Sequence, residues 1–420
     1  LAFLDQIFRR GGGPSPHHVV ALDIGTEFVK ALIFKIEDGK AYVTGVGRQR
    51  QRLGDMQSGA VTDIEGVIQN CVKALERAQE MAGSAPHAAV VGIAGELVKG
   101  ATTAVHYTRL KPRTKIDGDE LRQIISKVQW QAFDEVRNQL AWETGFSEID
   151  VKLINAAIVD VKIDGYKVTN PLGFQGKDVR VGIFNAFAPL VHLGALQTIV
   201  QDLELELLSI AAEPYAVARS VGSGESEEFS AIFIDIGGGT TDIAVVRGGG
   251  LEGTKMFAIG GRSFTKRLSQ VLDVSFSDAE ELKISYSLGL LPAGKAKKVE
   301  EALQSDCEVW LSGVELSLSE FKDVDLLPNK ILLCGGGSAL PQIKQILSTL
   351  AWTKALPFAK RPTVSFIKPA DVTNVVDETG LLVDQQDITP MGLANVAIDL
   401  NTEEKMMSAV LRRIVRAMQA

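Results

Sequence analysis

One pattern occurs twice in this chain and narrows the folds open to it more than any other feature. Asp23-Ile-Gly-Thr26 and Asp235-Ile-Gly-Gly-Gly-Thr-Thr-Asp242 each end a continuous apolar run, and each leads straight into a second one. An apolar run closed by Asp and a glycine turn reads as a buried strand followed by a tight reversal. Two similar α/β halves are the economical explanation of such a repeat. With 420 residues, 45% of them hydrophobic, the chain can bury more core than one typical domain holds.

Charge and cysteine usage exclude several classes. The 44 Lys and Arg against 52 Asp and Glu leave a net charge of −8, so the broad basic field that non-specific DNA or RNA binding requires is missing, and no nucleic-acid partner is expected. Cys71, Cys307 and Cys334 lie far apart with no Cys-x-x-Cys spacing. That argues against a disulfide framework or a zinc site and fits a reducing cytoplasm. No apolar run approaches the ~20 residues that span a bilayer, so no integral membrane segment is expected. The first residue is Leu rather than Met, which leaves the natural N-terminus open.

Along the chain, Arg10-Gly-Gly-Gly-Pro-Ser-Pro16 reads as a flexible break after a short apolar-basic tip, with folded structure starting near His17. Residues His18–Ile24, Phe28–Lys35 and Ala41–Val46 read as a three-stranded meander. The spacing of Ile64, Val67, Ile68, Cys71, Val72, Leu75 and Ala78 predicts an amphipathic helix over 62–82, and Ala88–Ile93 a buried strand. A longer helix is expected from Asp117 to Glu143, carrying Leu121, Ile124, Ile125, Val128, Phe133, Val136 and Leu140 behind an acidic first turn. Behind it Val151 to Val168 alternates and turns at Asp164-Gly165, a type I′ dipeptide. Gly222 to Glu228 is a turn-rich link before the second copy of the opening pattern.

A strand that ends in Asp before a glycine turn does two things at once. It points backbone N–H groups and a Thr hydroxyl at an anion, and it sets a carboxylate beside them for a hydrated divalent cation. In the second copy Gly237, Gly238 and Gly239 clear side chains from the approach, Thr240 and Thr241 add hydroxyls, and Asp242 returns a second carboxylate. The third element, Lys330-Ile-Leu-Leu-Cys-Gly-Gly-Gly-Ser-Ala339, is a buried strand running into three glycines and a helix, where a flat base or ribose can lie against bare backbone. It does not match the G-x-G-x-x-G fingerprint.

In order, these three motifs resemble the phosphate-1, phosphate-2 and adenosine motifs of the actin, sugar kinase and Hsp70 superfamily. Ala212-Glu-Pro-Tyr-Ala216, Ile259-Gly-Gly261 and Ala279-Glu-Glu-Leu-Lys283 match further marks of it, so the resemblance runs from His17 to about Leu400. It implies an actin-like, ribonuclease H-like duplicated α/β fold of two lobes that binds ATP with Mg²⁺. Asp23 and Asp235 would hold Mg²⁺ through water. Gly25, Thr26, Lys30, Gly237, Gly238, Gly239, Thr240, Thr241 and Asp242 would surround the phosphates, and Gly261, Glu280, Lys283, Gly335, Gly336, Gly337 and Ser338 the adenosine. Glu213 and Asp235 are the catalytic candidates, Glu213 as the acid that positions the attacking water. Taken by itself, Glu213 also fits a surface or turn-capping acid before Pro214, and both readings stand.

Within the superfamily, Asn170-Pro-Leu-Gly-Phe-Gln-Gly176 resembles a segment of the FtsA family, bacterial division proteins that link the FtsZ ring to the membrane. That segment belongs to an extra 1C (SHS2-like) domain inserted in the first half. The resemblance divides the chain into a tip and break (1–16), domain 1A (17–105 and 189–225), the inserted 1C domain (106–188), domain 2A (226–274 and 328–400), domain 2B (275–327) and a C-terminal amphipathic helix (401–420). Lys30, four positions after Thr26, and the lead Phe3 to Arg10 are more similar to PilM, the ATP-binding protein of type IV pilus assembly that shares the inserted domain. The motif from Asp235 to Asp242 is fuller than is usual in PilM.

The C-terminal segment carries Met406, Met407, Val410, Leu411, Ile414, Val415 and Met418 at helical spacing beside Lys405, Arg412, Arg413 and Arg416, with no acid after Glu404. This is the composition of a helix lying in an anionic membrane interface, with Met407, Leu411, Arg412, Ile414 and Val415 as the expected contacts. A terminal helix packed on its own domain is the other reading. Three functions follow. An FtsA-type adaptor, cytoplasmic and peripheral on the inner face of the cell membrane, would bind the FtsZ C-terminal tail, polymerise with itself and turn ATP over slowly. A PilM-type module would bind the PilN cytoplasmic peptide. A phosphotransferase or ATP hydrolase would show brisk turnover.

Overall fold

The computed structural model describes residues 18–401 apart from 96, 146–149, 223–228 and 322–323. The N-terminal tip and the expected membrane contacts Met407, Leu411, Arg412, Ile414 and Val415 lie outside the described residues. The chain opens with the meander β1 (His18–Ile24), β2 (Phe28–Glu37) and β3 (Lys40–Arg50), a short hairpin of β4 (Met56–Gln57) and β5 (Ala60–Val61), then α1 (Ile64–Ala82) and β6 (Ala88–Ile93). Asp63 caps α1 by accepting from the Gly66 N–H, a contact of about 1 kcal/mol. The apolar face of α1 is rotated from the predicted one: Asn70 and Ala74 are buried, whereas Ile64 and Val72 are exposed. The cause is the close seat of α1 on β3, where a Cβ on Gly47 would stand 1.8 Å from the Ala74 carbonyl oxygen. Asn70 is satisfied in its buried position by donating to Gln51 and Asp55 at 2.6 and 2.7 Å.

The segment expected as an insertion, 106–188, falls within the run β7 (Lys99–Thr108), α2 (Gly118–Thr144), β8 (Val151–Ile163), β9 (Tyr166–Lys167) and β10 (Asp178–Pro189). Asp117 caps α2 through the N–H groups of Asp119 and Glu120. Leu121, Ile124, Ile125 and Val128 pack on Val105, Val161, Val179 and Val181, so alternate strand residues face α2. Then come α3 (Leu190–Asp202), β11 (Glu206–Ala212) and α4 (Glu213–Gly222), which complete the first lobe.

The second lobe contains β12 (Ala231–Ile236), β13 (Thr241–Arg247), β14 (Gly250–Phe257), α5 (Gly261–Leu272), α6 (Phe276–Ser287), α7 (Ala293–Ser319), β15 (Lys330–Cys334), α8 (Pro341–Leu347) and β16 (Thr363–Phe366). After β17 (Val375–Asp377) the chain returns to the first lobe, where α9 (Ile388–Asn401) packs on α4 and β1.

The two halves repeat one plan. β1 lies between antiparallel β2 and parallel β6, and β12 lies between antiparallel β13 and parallel β15. One sheet has the order β11-β6-β1-β2-β3-β17 and the other β16-β15-β12-β13-β14-β7-β10-β8-β9. The second order is a finding that no sequence pattern announces: β14 pairs with β7 at Gly253↔Ala101 and Thr254↔Gly100, which joins β12-β13-β14 of the second lobe to the strands β7-β10-β8-β9. Cys71, Cys307 and Cys334 are buried free thiols, and no helix among the described residues is long and apolar enough to cross a membrane.

Candidate functional site

The turns after the two Asp-bearing strands meet. The Gly25 N–H donates to the Phe28 carbonyl at 3.1 Å and the Gly237 N–H to the Thr240 carbonyl at 2.9 Å, which closes each turn. The Thr26 hydroxyl accepts from the Gly59 N–H at 3.2 Å and lies where a Cβ on Gly239 would come within 2.7 Å of it. The first amides of α5 hold the second turn, as Gly261 and Arg262 donate to the carbonyls of Gly237 and Gly238 at 2.9 and 2.8 Å. The N–H groups of Gly238 and Gly239 have no acceptor among the described residues and are therefore open to an anion. Across the junction Arg262 donates to Glu27 at 2.7 Å and to the Met56 carbonyl at 3.2 Å, and Arg50 donates to the same Glu27.

Four carboxylates are buried at these turns: Asp23 on β1, Glu213 opening α4, Asp235 on β12 and Asp242 on β13. Lys30 on β2 donates to Asp23 at 3.1 Å and to the Gln386 carbonyl at 2.8 Å. Burial alone would lower the Lys30 pKa, but Asp23, with Asp235 and Asp387 beyond it, outweighs burial and holds the ammonium above its ordinary value. The acids move the same way for the opposite reason. Burial first, then the charges of Asp23, Asp242 and Asp235, pushes Glu213 well above the usual carboxylate range. Burial and then Asp235 does the same to Asp242, whose Oδ1 has no hydrogen-bond partner. Asp235 is raised by burial despite the hydrogen bond from Thr389 and the charge of Lys30.

Four acids facing one base leave the site short of positive charge, and the orphaned Asp242 oxygen marks where the shortfall is felt. This donor set fits a hydrated divalent cation. Among the described residues no group of three or more His, Cys, Asp or Glu is placed to ligate a metal directly. Glu213 is not a surface acid. It is 8% exposed, and a Cβ on Gly92 would come within 2.7 Å of its Oε1.

On the other side of the second turn, Lys283 donates to the Gly261 carbonyl, the Thr265 hydroxyl and Glu280 at 2.9, 2.7 and 2.8 Å, and Thr265 also bonds Glu280. This network closes on itself. Gly335, Gly336, Gly337 and Ser338 follow β15, and the Ser338 hydroxyl donates to the Gly335 carbonyl at 2.7 Å. Thr240 stays at the cluster through Asp242 at 3.2 Å. The Thr241 hydroxyl is turned into the second lobe instead, where it donates to the Ile259 carbonyl at 2.7 Å and accepts from the Trp310 indole at 2.9 Å. Residues that sequence reasoning missed come from the approach to α9: Thr389 donates to Asp235, Gln386 lends its carbonyl to Lys30, and Asp387 pairs with Arg48. The acids Asp384 and Asp387 signal a helix start and nothing more.

A family model described as "Cell division protein FtsA" matches residues 232–378. Cell division protein FtsA of Pseudomonas aeruginosa is 28% identical over 345 residues, covering 77% of this chain and 78% of that protein. The chain is FtsA-like. The FtsA of Enterococcus faecalis is 25% identical over 347 residues, covering 77% of this chain and 74% of its own. Among solved structures, the "PilM-PilN type IV pilus biogenesis complex" matches this FtsA-like chain with a TM-score of 0.66 at 16% identity, covering 91% of it and 99% of that chain. At that identity the likeness is one of fold, and the fold is the actin-like arrangement of two lobes.

Proposed function

We propose that this FtsA-like chain binds ATP with Mg²⁺ between its two Asp-bearing turns and acts as an actin-like adaptor in bacterial cell division. In this reading it tethers FtsZ filaments, through their C-terminal tails, to the inner face of the cytoplasmic membrane and assembles into polymers. The observation that carries the proposal is the buried surplus of carboxylates behind two turns with open amides, in a chain similar to FtsA over 77% of its length. The Gly238 and Gly239 amides and the Thr26 hydroxyl bind phosphate oxygens, while Asp23 and Asp235 orient a hydrated cation. Lys30 holds Asp23 in place by donating to it at 3.1 Å. Glu213, whose pKa burial and the neighbouring acids raise well above the usual carboxylate range, is placed to hold a water by hydrogen bonding. Bound there, Mg²⁺ would neutralise the triphosphate charge. A ligand that touches both turns stabilises the closed pair of lobes and so biases assembly without fast turnover.

Titration of the ATP-loaded protein against a labelled FtsZ C-terminal tail and a labelled PilN N-terminal segment, read by fluorescence anisotropy, tests the partner. Saturable binding of the FtsZ tail alone is expected. Selective binding of the PilN segment would move the chain to the pilus machinery, a second reading favoured by Lys30 and by the likeness to the PilM-PilN complex. A second test concerns closure. Arg262 and Glu27 are both largely buried, and a hydrogen bond between charged groups is worth about 1.5–3 kcal/mol. Arg262→Ala is therefore expected to speed release of a fluorescent ATP analogue about tenfold in stopped flow. An unchanged release rate would show that this pair does not hold the lobes.

A further inference from the structure

The two-residue join between β14 and β7 leaves a split. β7 pairs with β10 from Lys99 to Thr108, but on its other edge it meets β14 at Gly100 and Ala101. Beyond them, residues 102–108 have no strand on that side among the described residues, an open backbone edge about 23 Å long. A 660 Å³ cavity lies in the split, with Thr102 and Ala104 of β7 on one wall and Arg247 and Glu252 of the β13–β14 hairpin on the other. An open edge beside a cavity is a template for an added strand.

The charges say what kind of strand. His106, Arg180, Lys162 and Lys167 stand directly opposite one another across β7, β10, β8 and β9, on the face turned away from α2. Three of them, Arg180, Lys162 and Lys167, line the cavity. Arg180 and Lys162, and Lys162 and Lys167, are like charges directly opposite on neighbouring strands, which repel, and an anion laid over Arg180 lowers that cost. The acids nearby are engaged: Glu252 with Arg247 at 2.8 Å, Asp160 with Lys162 at 3.7 Å, and Glu135 with Gln131 at 2.9 Å. Arg180 has no ion-pair partner among the described residues.

We propose that an extended acidic peptide of a partner protein adds as a strand to the β7 edge in this split, its main chain pairing with residues 102–108 and its carboxylates reaching the basic row. The site is separate from the nucleotide turns and does not depend on their occupancy. The probe is a displayed library of nonapeptides with Asp or Glu fixed at alternate positions, screened on the full chain. Selected peptides are then titrated by anisotropy and followed by amide hydrogen exchange. The expected result is saturable binding that slows exchange within 102–108 and weakens by about tenfold or more in Arg180→Glu. Gly182→Phe places a ring in the cavity, and because a Cβ there meets nothing nearer than 3.7 Å, the sheet should accept it. It should block binding, and Arg180→Glu, at an exposed position, serves if Gly182→Phe does not fold. Failure to select any saturating peptide, equal binding by lysine-substituted versions or by free polyphosphate, or unchanged exchange at 102–108 would each overturn the proposal.

Discussion

Asp235→Asn is expected to raise the melting temperature of the nucleotide-free chain and, in the same variant, to weaken Mg·ATP binding at least about 100-fold, or ~2.7 kcal/mol. The two effects have one cause. Asp235 is a buried acid among acids, and its folded-state pKa lies above the ordinary carboxylate value because burial, reinforced by Asp23, outweighs the help of Thr389 and Lys30. A raised acid pKa means that ionisation costs more in the folded chain than in the unfolded one. That penalty is absent below the usual carboxylate range, grows as pH rises, and is complete once the pH passes the folded value. Glu213 and Asp242 add penalties of the same sign. The wild-type chain without nucleotide should therefore lose stability as the pH rises from the usual carboxylate range through the raised folded values, and the Asp235→Asn chain should lose less. Lys30 does not reverse the trend, since its contribution persists below its ordinary pKa and fades only above it. Thermal melts over that pH range, with and without Mg·ATP, measure both halves. A variant that melts lower than wild type at neutral pH, or one that binds Mg·ATP undiminished, would remove the charge-shortfall account of the site.

What the sequence made legible was what local chemistry dictates. The strand through Asp23, the meander behind it and its repeat at Asp235 were readable because apolar runs closed by Asp-Gly turns have few alternative folds. Asp117 announced a helix because an acid at that position can cap its free amides, and Asp164-Gly165 a hairpin because both residues accept positive φ, 49° and 87°. The misses all arise from contacts between distant segments. Thr389 reaches Asp235 only because α9 returns to the first lobe, and nothing around residue 389 marks it as a ligand of the site. The buried face of α1 is set by the bare surface of β3, which the spacing within the helix cannot report. Thr241 stands in the phosphate motif, yet strand alternation turns its hydroxyl towards Trp310. The join of β7 to β14 rests on two residue pairs, too short a match for any periodicity to carry.

The three glycines after β15 separate packing from binding, and substituting them one at a time should show it. Gly335 has φ 79° and ψ 153°, a region essentially restricted to glycine, and a Cβ there would stand 2.1 Å from Asp235 Oδ1 and 2.5 Å from the Ile236 carbonyl oxygen. Gly335→Ala is therefore expected to cost ~3 kcal/mol or more in urea denaturation, from backbone strain and from a methyl forced against the carboxylate cluster. Gly336 is the contrast, because a Cβ at that position meets nothing within 4 Å. Gly336→Ala should leave stability unchanged or raise it by ~0.4–1 kcal/mol, since the unfolded chain loses freedom and the folded one loses nothing. Its effect should fall on the ligand. If a base or ribose lies against this bare backbone, the added methyl should weaken ATP binding while the fold stays intact, whereas undiminished binding would move the nucleoside away from the β15 junction. A Gly335→Ala chain as stable as wild type would show that the close approach to Ile236 and Asp235 is not what requires glycine there.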